Sequence, residues 1–318
     1  MPRSGREIPV FVFNGLLESG KTTMIRRFLD NKTICGGRRI LLLLCEQGIE
    51  ELENSFLEER GVIIRSIDEE NGFSPLHLEA LNKETSPDLV VAEWNGMWRG
   101  TLPAEMRWPD GWSLVEVLTT VDFSTFDAYS KNLRSIMLDQ FRIADIVVYN
   151  RFREEGNKFN CRALVKAVNP SAQVVFEYED GTIDSEFDSS PFDLSGDTVD
   201  IPDADFGIWY FDVMDHLDKY LGKTVCLRAI CVKITGIRMD GFLVGRLAMT
   251  CCANDIQLLS VYAKNNLPFK NKAWYTVRAK VVSVDSSVYG EAPGMSLPAL
   301  EVLDLKAAEK PAQEVVTF

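Results

Sequence analysis

The stretch Gly15-Leu16-Leu17-Glu18-Ser19-Gly20-Lys21-Thr22 fits the spacing G-x-x-x-x-G-K-[ST] at every fixed position. These residue types in this order suit phosphate chemistry. Glycines let backbone N–H groups wrap phosphate oxygens, a lysine amine bridges the β/γ oxygens, and the hydroxyl after it holds Mg2+. Gly15, Glu18, Ser19, Gly20, Lys21, Thr22 and Thr23 are therefore the expected triphosphate-binding residues, with Thr22 on Mg2+. The alternative is a glycine-rich strand-to-helix turn with no ligand. The flanks favour the site: residues 9–13 read as a buried parallel strand, and residues 22–29 as a helix.

A second constellation lies near the other end. Cys251 and Cys252 are adjacent, and Asp255 follows three residues later. Neighbouring strand residues point to opposite faces, so both thiols can reach one ion only at a strand end or bulge. Asp255 would complete a mixed sulfur/oxygen set for Zn2+ or another transition metal. The competing reading is two structural thiols beside a turn or capping aspartate. Cys226 and Cys231 fall on opposite faces of one strand, and Cys35, Cys45 and Cys161 are isolated, so core packing is expected of all five. With only His77 and His216 present, a histidine-rich metal site is excluded.

Trp94, Trp98, Trp108 and Trp112 crowd into nineteen residues. They read either as packing under a long loop or as an aromatic docking patch responsive to the γ-phosphate.

These groups must be positioned by about two domains, given 318 residues. Hydrophobic content of 46% and charged content of 25% are those of a soluble globular chain. Nothing approaches the roughly 18 apolar residues of a membrane span, so the chain is not expected to be membrane-embedded. The short polar N-terminus lacks a signal-peptide core, and an odd number of cysteines without framework spacing points to the cytoplasm. Net charge is −13, but residues 177–205 hold eleven carboxylates and no Lys or Arg, and without them the rest stands at −2. Such a balance repels phosphate backbones and argues against nucleic acid as a partner. The acidic strip itself reads as a linker or solvated loop rather than a divalent-cation reservoir.

Residues 7–178 alternate between strand patterns (9–14, 39–45, 61–66, 87–93, 114–121, 145–149, 172–177) and helix patterns (21–30, 48–59, 75–84, 124–141, 157–168). Runs of Val, Ile and Leu without alternation imply a mostly parallel sheet covered on both faces, an α/β class. Asp122 and Asn157 look like helix entries. Beyond a short helical piece at 213–220, five strand patterns (223–236, 241–250, 256–262, 273–286, 298–305) suggest a small antiparallel barrel, OB-like. The expected divisions are 1–178, an acidic linker 179–206, and a barrel over 207–318.

Four blocks make the N-terminal half resemble the CobW-like P-loop GTPases, a metallochaperone and cofactor-assembly family. They are residues 15–23, Cys45-Glu46-Gln47-Gly48, Val90-Val91-Ala92-Glu93-Trp94-Asn95-Gly96, and Ala144-Asp145-Ile146-Val147-Val148-Tyr149-Asn150. The resemblance implies catalytic roles for Lys21, Glu46 and Glu93, the two glutamates being switch residues near Mg2+. It also implies a Gly96 amide near the γ-phosphate, and a base-binding loop at Asn150 and Arg151. Three departures alter that picture. No cysteine lies between residues 46 and 92, so the family's Cys-x-Cys-Cys relay is absent. The guanine motif N-K-x-D appears as Asn150-Arg151-Phe152-Arg153, with Arg153 in place of the acceptor aspartate; Glu154, Glu155 or a backbone carbonyl are the substitutes in sequence. Glu18 replaces a glycine, as in the similar loop of heterotrimeric G-protein α-subunits, where it faces away from the phosphates.

Residues 245–255, Gly-Arg-Leu-Ala-Met-Thr-Cys-Cys-Ala-Asn-Asp, resemble the R-F-x-M-T-C-C-A-A-D stretch in the C-terminal domain of YcgQ-like permease-associated proteins. Together the resemblances imply Mg2+-dependent binding and slow hydrolysis of GTP or ATP. The cycle would drive metal or cofactor delivery, or regulate a permease subunit or metalloenzyme client. The alternative is a non-hydrolysing, nucleotide-sensing adaptor.

Overall fold

The computed structural model describes residues 7–46, 52–153, 156–184, 190–234, 241–250, 253–264 and 267–318. It divides into two compact units: residues 1–156 with 168–186, and residues 157–167 with 187–318.

The first unit opens with β1 (Ile8–Asn14), α1 (Lys21–Leu29), α2 (Lys32–Cys35) and β2 (Ile40–Leu44). Then come α3 (Asn54–Glu59), β3 (Val62–Ser66), α4 (Pro75–Thr85), β4 (Leu89–Glu93) and α5 (Leu102–Glu105). It closes with β5 (Trp112–Asp122), α6 (Phe123–Asn132), α7 (Arg134–Phe141), β6 (Ile146–Phe152), β7 (Gln173–Tyr178) and β8 (Ile183–Asp184); α8 (Lys158–Lys166), between β6 and β7, groups with the second unit.

The strands form one sheet in the order β3-β2-β4-β1-β5-β6-β7-β8. Every pairing is parallel except β7–β8. β4 is buried along its whole length and β1 from Val10 onward, as expected when helices cover both faces. Asp122 caps α6 through Ser124 N and Asn157 caps α8 through Asn160 N, as the sequence suggests. The single helix expected over 124–141 is two, because Leu133 leaves the helical region between α6 and α7.

The tryptophans pack inward. Trp94 and Trp112 are core residues, and Trp98 and Trp108 lie against the same cluster around Phe73. Trp94 meets Phe73 edge-on at 4.8 Å and Trp98 at 5.4 Å. The Trp108 indole N–H donates to Pro103 O at 3.0 Å. The docking-patch reading is therefore set aside: apolar area this large is better spent in the core.

The second unit adds β9 (Thr198–Asp200), α9 (Phe206–Asp215), α10 (Leu217–Tyr220), β10 (Thr224–Lys233), β11 (Phe242–Met249), β12 (Gln257–Lys264), β13 (Ala273–Asp285), β14 (Ser296–Ala307) and β15 (Val316–Thr317). β10, β11, β12, β14 and β13 pair in turn and β13 returns to β10, closing a five-stranded barrel. One pairing, β12–β14, is parallel, so the barrel is not wholly antiparallel as expected. Inward residues alternate along β10 and β13, and they form a continuous core with Phe206, Trp209 and Val213 of α9.

The expected linker over 179–206 is more structured than its composition suggests. β8 pairs with β7, β9 pairs with β10, and Val199 and Ile201 are buried. Glu177 is buried and holds Arg27 through both carboxylate oxygens at 2.7 and 2.8 Å. Single apolar residues between carboxylates were the signal; charge density hid them. No helix among the described residues is long and apolar enough to cross a membrane.

Candidate functional site

The loop after β1 turns through three residues of positive φ, Gly15 (140°), Glu18 (64°) and Gly20 (94°). Gly20 is the N-cap of α1 and no side chain caps that helix, a helix start of the kind that suits an anion. A Cβ at Gly20 would lie 2.6 Å from Asn150 Nδ2. Glycine is thus required there by both φ and space.

Neighbouring strand ends fix the loop's shape. Asn14 Oδ1 accepts from Gly15 N at 2.8 Å. Ser19 Oγ and Thr120 Oγ1, at the end of β5, share a hydrogen bond of 2.7 Å, and Thr120 also donates to Asn14 O at 3.3 Å. Asn150, at the end of β6, donates from Nδ2 to Ser19 O at 2.5 Å. Arg151 Nη1 donates to Glu18 O at 3.3 Å and pairs with Asp122. The Glu18 side chain is exposed.

Gly96 closes the loop from the side of β4. A Cβ there would sit 2.3 Å from Gly15 O and 2.7 Å from Leu16 Cα. Its carbonyl accepts from Gln140 Nε2 at 2.8 Å.

Lys21 is almost wholly buried (3% exposed), and its Nζ has three acceptors: Gly15 O at 2.9 Å, Leu16 O at 3.0 Å and Glu46 Oε2 at 2.6 Å. Thr22 Oγ1 donates to Glu93 Oε1 at 2.8 Å. The loop cation and hydroxyl are therefore each matched to a carboxylate at the end of a neighbouring strand, Glu46 after β2 and Glu93 ending β4. Burial lifts the Glu93 carboxyl above its ordinary value; the Thr22 hydrogen bond and the Lys21 charge oppose that lift, and Glu46 adds to it.

One hydroxyl and two carboxylates form a hard-oxygen set that fits Mg2+, an ion held through one or two carboxylates plus substrate phosphates. Cys45 sits beside the same carboxylates, and burial drives its thiol far above the ordinary value, so it stays protonated. Burial likewise raises Cys35 and Cys226, and pushes Cys231 up to about 12. These thiols behave as packing groups.

Cys251 and Cys252 lie outside the described residues, as do Glu154 and Glu155. Asp255 accepts from Thr250 N at 3.1 Å through Oδ1 and from the Thr250 hydroxyl through Oδ2. Among the described residues no group of three or more His, Cys, Asp or Glu side chains is arranged to hold a metal ion.

Asn14, Thr120 and Gln140 escaped the sequence reading. Two left a trace: Thr119-Thr120 interrupts an otherwise apolar strand end, and Gln140, 1% exposed, is a polar residue on the buried stripe of α7.

Residues 9–176 match the sequence family described as CobW/HypB/UreG, nucleotide-binding domain, which is more than half of the chain. The chain belongs to the CobW/HypB/UreG family. Residues 184–316 match a second family, the DUF1980 C-terminal domain. Among curated relatives, the zinc chaperone CobW of Sinorhizobium sp is 28% identical over 46% of this chain and 51% of its own, so the chain spans about half the length of that relative. Among solved structures, the Zn(II)-bound YjiA GTPase from E. coli aligns over 95% of this chain and 96% of its own, with 16% identity and a TM-score of 0.43. Hydrogenase maturation factor HypB from Archaeoglobus fulgidus aligns over 54% and 80%, with 19% identity and a TM-score of 0.37. Family membership accounts for the phosphate loop and parallel sheet of the first unit.

Proposed function

We propose that this chain binds a nucleoside triphosphate, GTP in preference to ATP, with Mg2+ at the loop of residues 15–23, and hydrolyses it slowly to drive delivery of a metal ion. The observation that carries this reading is the pairing of Lys21 with Glu46 and of Thr22 with Glu93 at the ends of adjoining strands. Lys21 and the loop amides would stabilise charge on the transferring phosphoryl group. Thr22 and Glu93 would hold Mg2+, which when bound neutralises phosphate charge, while Glu46 would orient water. A zinc chaperone among the relatives supports a metal as cargo, with Cys251 and Cys252 as its proposed ligands. The second domain would present that cargo to a permease subunit or metalloenzyme.

Arg153, at the position of the guanine-acceptor aspartate, favours a second reading: a nucleotide-sensing adaptor that does not hydrolyse. Phosphate release with Mg2+, with and without Zn2+ or Co2+, separates the two. Turnover above background that is stimulated by metal supports the first. Mg2+-dependent binding without release supports the adaptor.

A further inference from the structure

Ligands of open α/β sheets lie outside the C-terminal ends of the strands. With phosphates at the loop after β1, the rest of a nucleotide runs over the ends of β5, β6 and β7, which follow β1 across the sheet. Two features stand at that end. Asn150 is only 8% exposed; its Nδ2 is spent on Ser19 O, and its Oδ1 is buried with no hydrogen-bond partner among the described residues. Because Ser19 O can only accept, the amide orientation follows, and Oδ1 calls for a donor from a ligand. Further out, Arg153 Nε donates to Glu179 Oε1 at 2.9 Å. Pairing of Phe152 with Tyr178 brings these two residues side by side just beyond the strand ends. The Glu179 side chain is 58% exposed, and one hydrogen bond leaves most of its lone pairs open.

We infer that Glu179, oriented by Arg153, is the acceptor that selects guanine among triphosphates bound at the loop. The inference rests on the nucleotide reading proposed above. Guanine presents a ring N–H and an amino group side by side, two donors that match a carboxylate. Adenine presents an amino donor beside a ring nitrogen that accepts, and a carboxylate opposite that nitrogen repels it. Arg153 alone offers only donors, so the acceptor lost from position 153 is restored from β7. Arg153 is a positioning residue here; its ion pair with Glu179 is exposed and contributes by direction rather than strength.

The test uses the full chain with Mg2+ and competition titrations of GTP, ATP and ITP, which lacks the 2-amino group. Wild type is expected to bind GTP more tightly than ATP, with ITP weaker than GTP. Glu179→Ala should lower GTP affinity about tenfold or more with ATP unchanged. Glu179→Gln keeps the shape without the charge and should lose most of the preference; Arg153→Ala should lose less. Equal GTP-to-ATP ratios in wild type and Glu179→Ala, at unchanged melting temperature, overturn the assignment, as does a wild type without preference. A wild type that binds none of the three overturns the nucleotide reading itself.

Discussion

Lys21 Nζ and Glu46 Oε2 lie 2.6 Å apart, so the one cation of the phosphate loop is already matched to a carboxylate from the end of β2. A phosphate oxygen that reaches Nζ must compete with Glu46. Phosphate binding and the position of the segment after β2 are thereby linked through a single amine.

Lys21→Ala is accordingly expected to weaken both GTP and ATP. A charge-assisted contact of this kind contributes about 1.5–3 kcal/mol, more than tenfold in affinity. Isothermal calorimetry checks it, and unchanged affinity for both nucleotides would show that the site lies elsewhere.

Gly96→Ala tests the closure of the loop from β4. The new methyl would meet the backbone of Gly15 and Leu16, not a movable side chain. Overpacking should cost about 1–3 kcal/mol of stability, and the displaced loop should bind triphosphate at least tenfold more weakly. Thermal unfolding and titration together report both effects. A variant with wild-type affinity would mean that the close approach does not shape the loop.

Glu93 gives a pH dependence whose sign can be worked out. Its carboxyl titrates above 4.5 in the folded chain, chiefly through burial, and near 4.5 when unfolded. Between those values the folded state holds the extra proton, so this group's contribution is present below 4.5 and is lost as pH rises through the folded value. Glu93→Gln keeps an acceptor for Thr22 and should flatten that part of the profile. Urea denaturation of both proteins from pH 4 to 8 is the measurement, and parallel profiles would refute it.

Asp255 and the adjacent cysteines make separable predictions. Asp255→Ala removes the acceptor that Thr250 N–H and its hydroxyl share, and should destabilise the second unit by about 1–3 kcal/mol. If the proposed thiolates bind it, Zn2+ uptake by wild type should release protons and weaken below about pH 6. The Cys251→Ser, Cys252→Ser double variant should abolish it. Equal uptake by both proteins in equilibrium dialysis would end the metal assignment.

The first unit was largely legible because parallel strands write themselves as unbroken Val, Ile and Leu runs, and residues 15–22 fall between one such run and a helix. The loop's supports were not. Thr120 and Gln140 act through hydrogen bonds to residues distant in sequence, Asn14 through one to its own neighbour, and no spacing rule joins the three. The strand ends after β2 and β4 were readable as acidic, yet which loop group each would meet depends on sheet order: Glu46 goes to the lysine and Glu93 to the threonine. In the second unit, the five barrel strands followed from turn signals, while the short β9 and β15 were missed and the parallel β12–β14 pairing needs three-dimensional closure. Residues 198–201 were misread because carboxylates flank each buried apolar side chain.

The tie from Asn150 to Ser19 also sets an order of events during synthesis. The loop's own residues emerge early, but the groups that hold its shape, Thr120 and Asn150, follow 101 and 131 residues after Ser19. A nascent chain is therefore expected to lack these ties of the loop until β6 has joined the sheet, since contacts of such sequence separation form late. Ligand added afterwards would act on the whole first unit rather than on its loop, raising resistance to unfolding in proportion to the logarithm of its concentration.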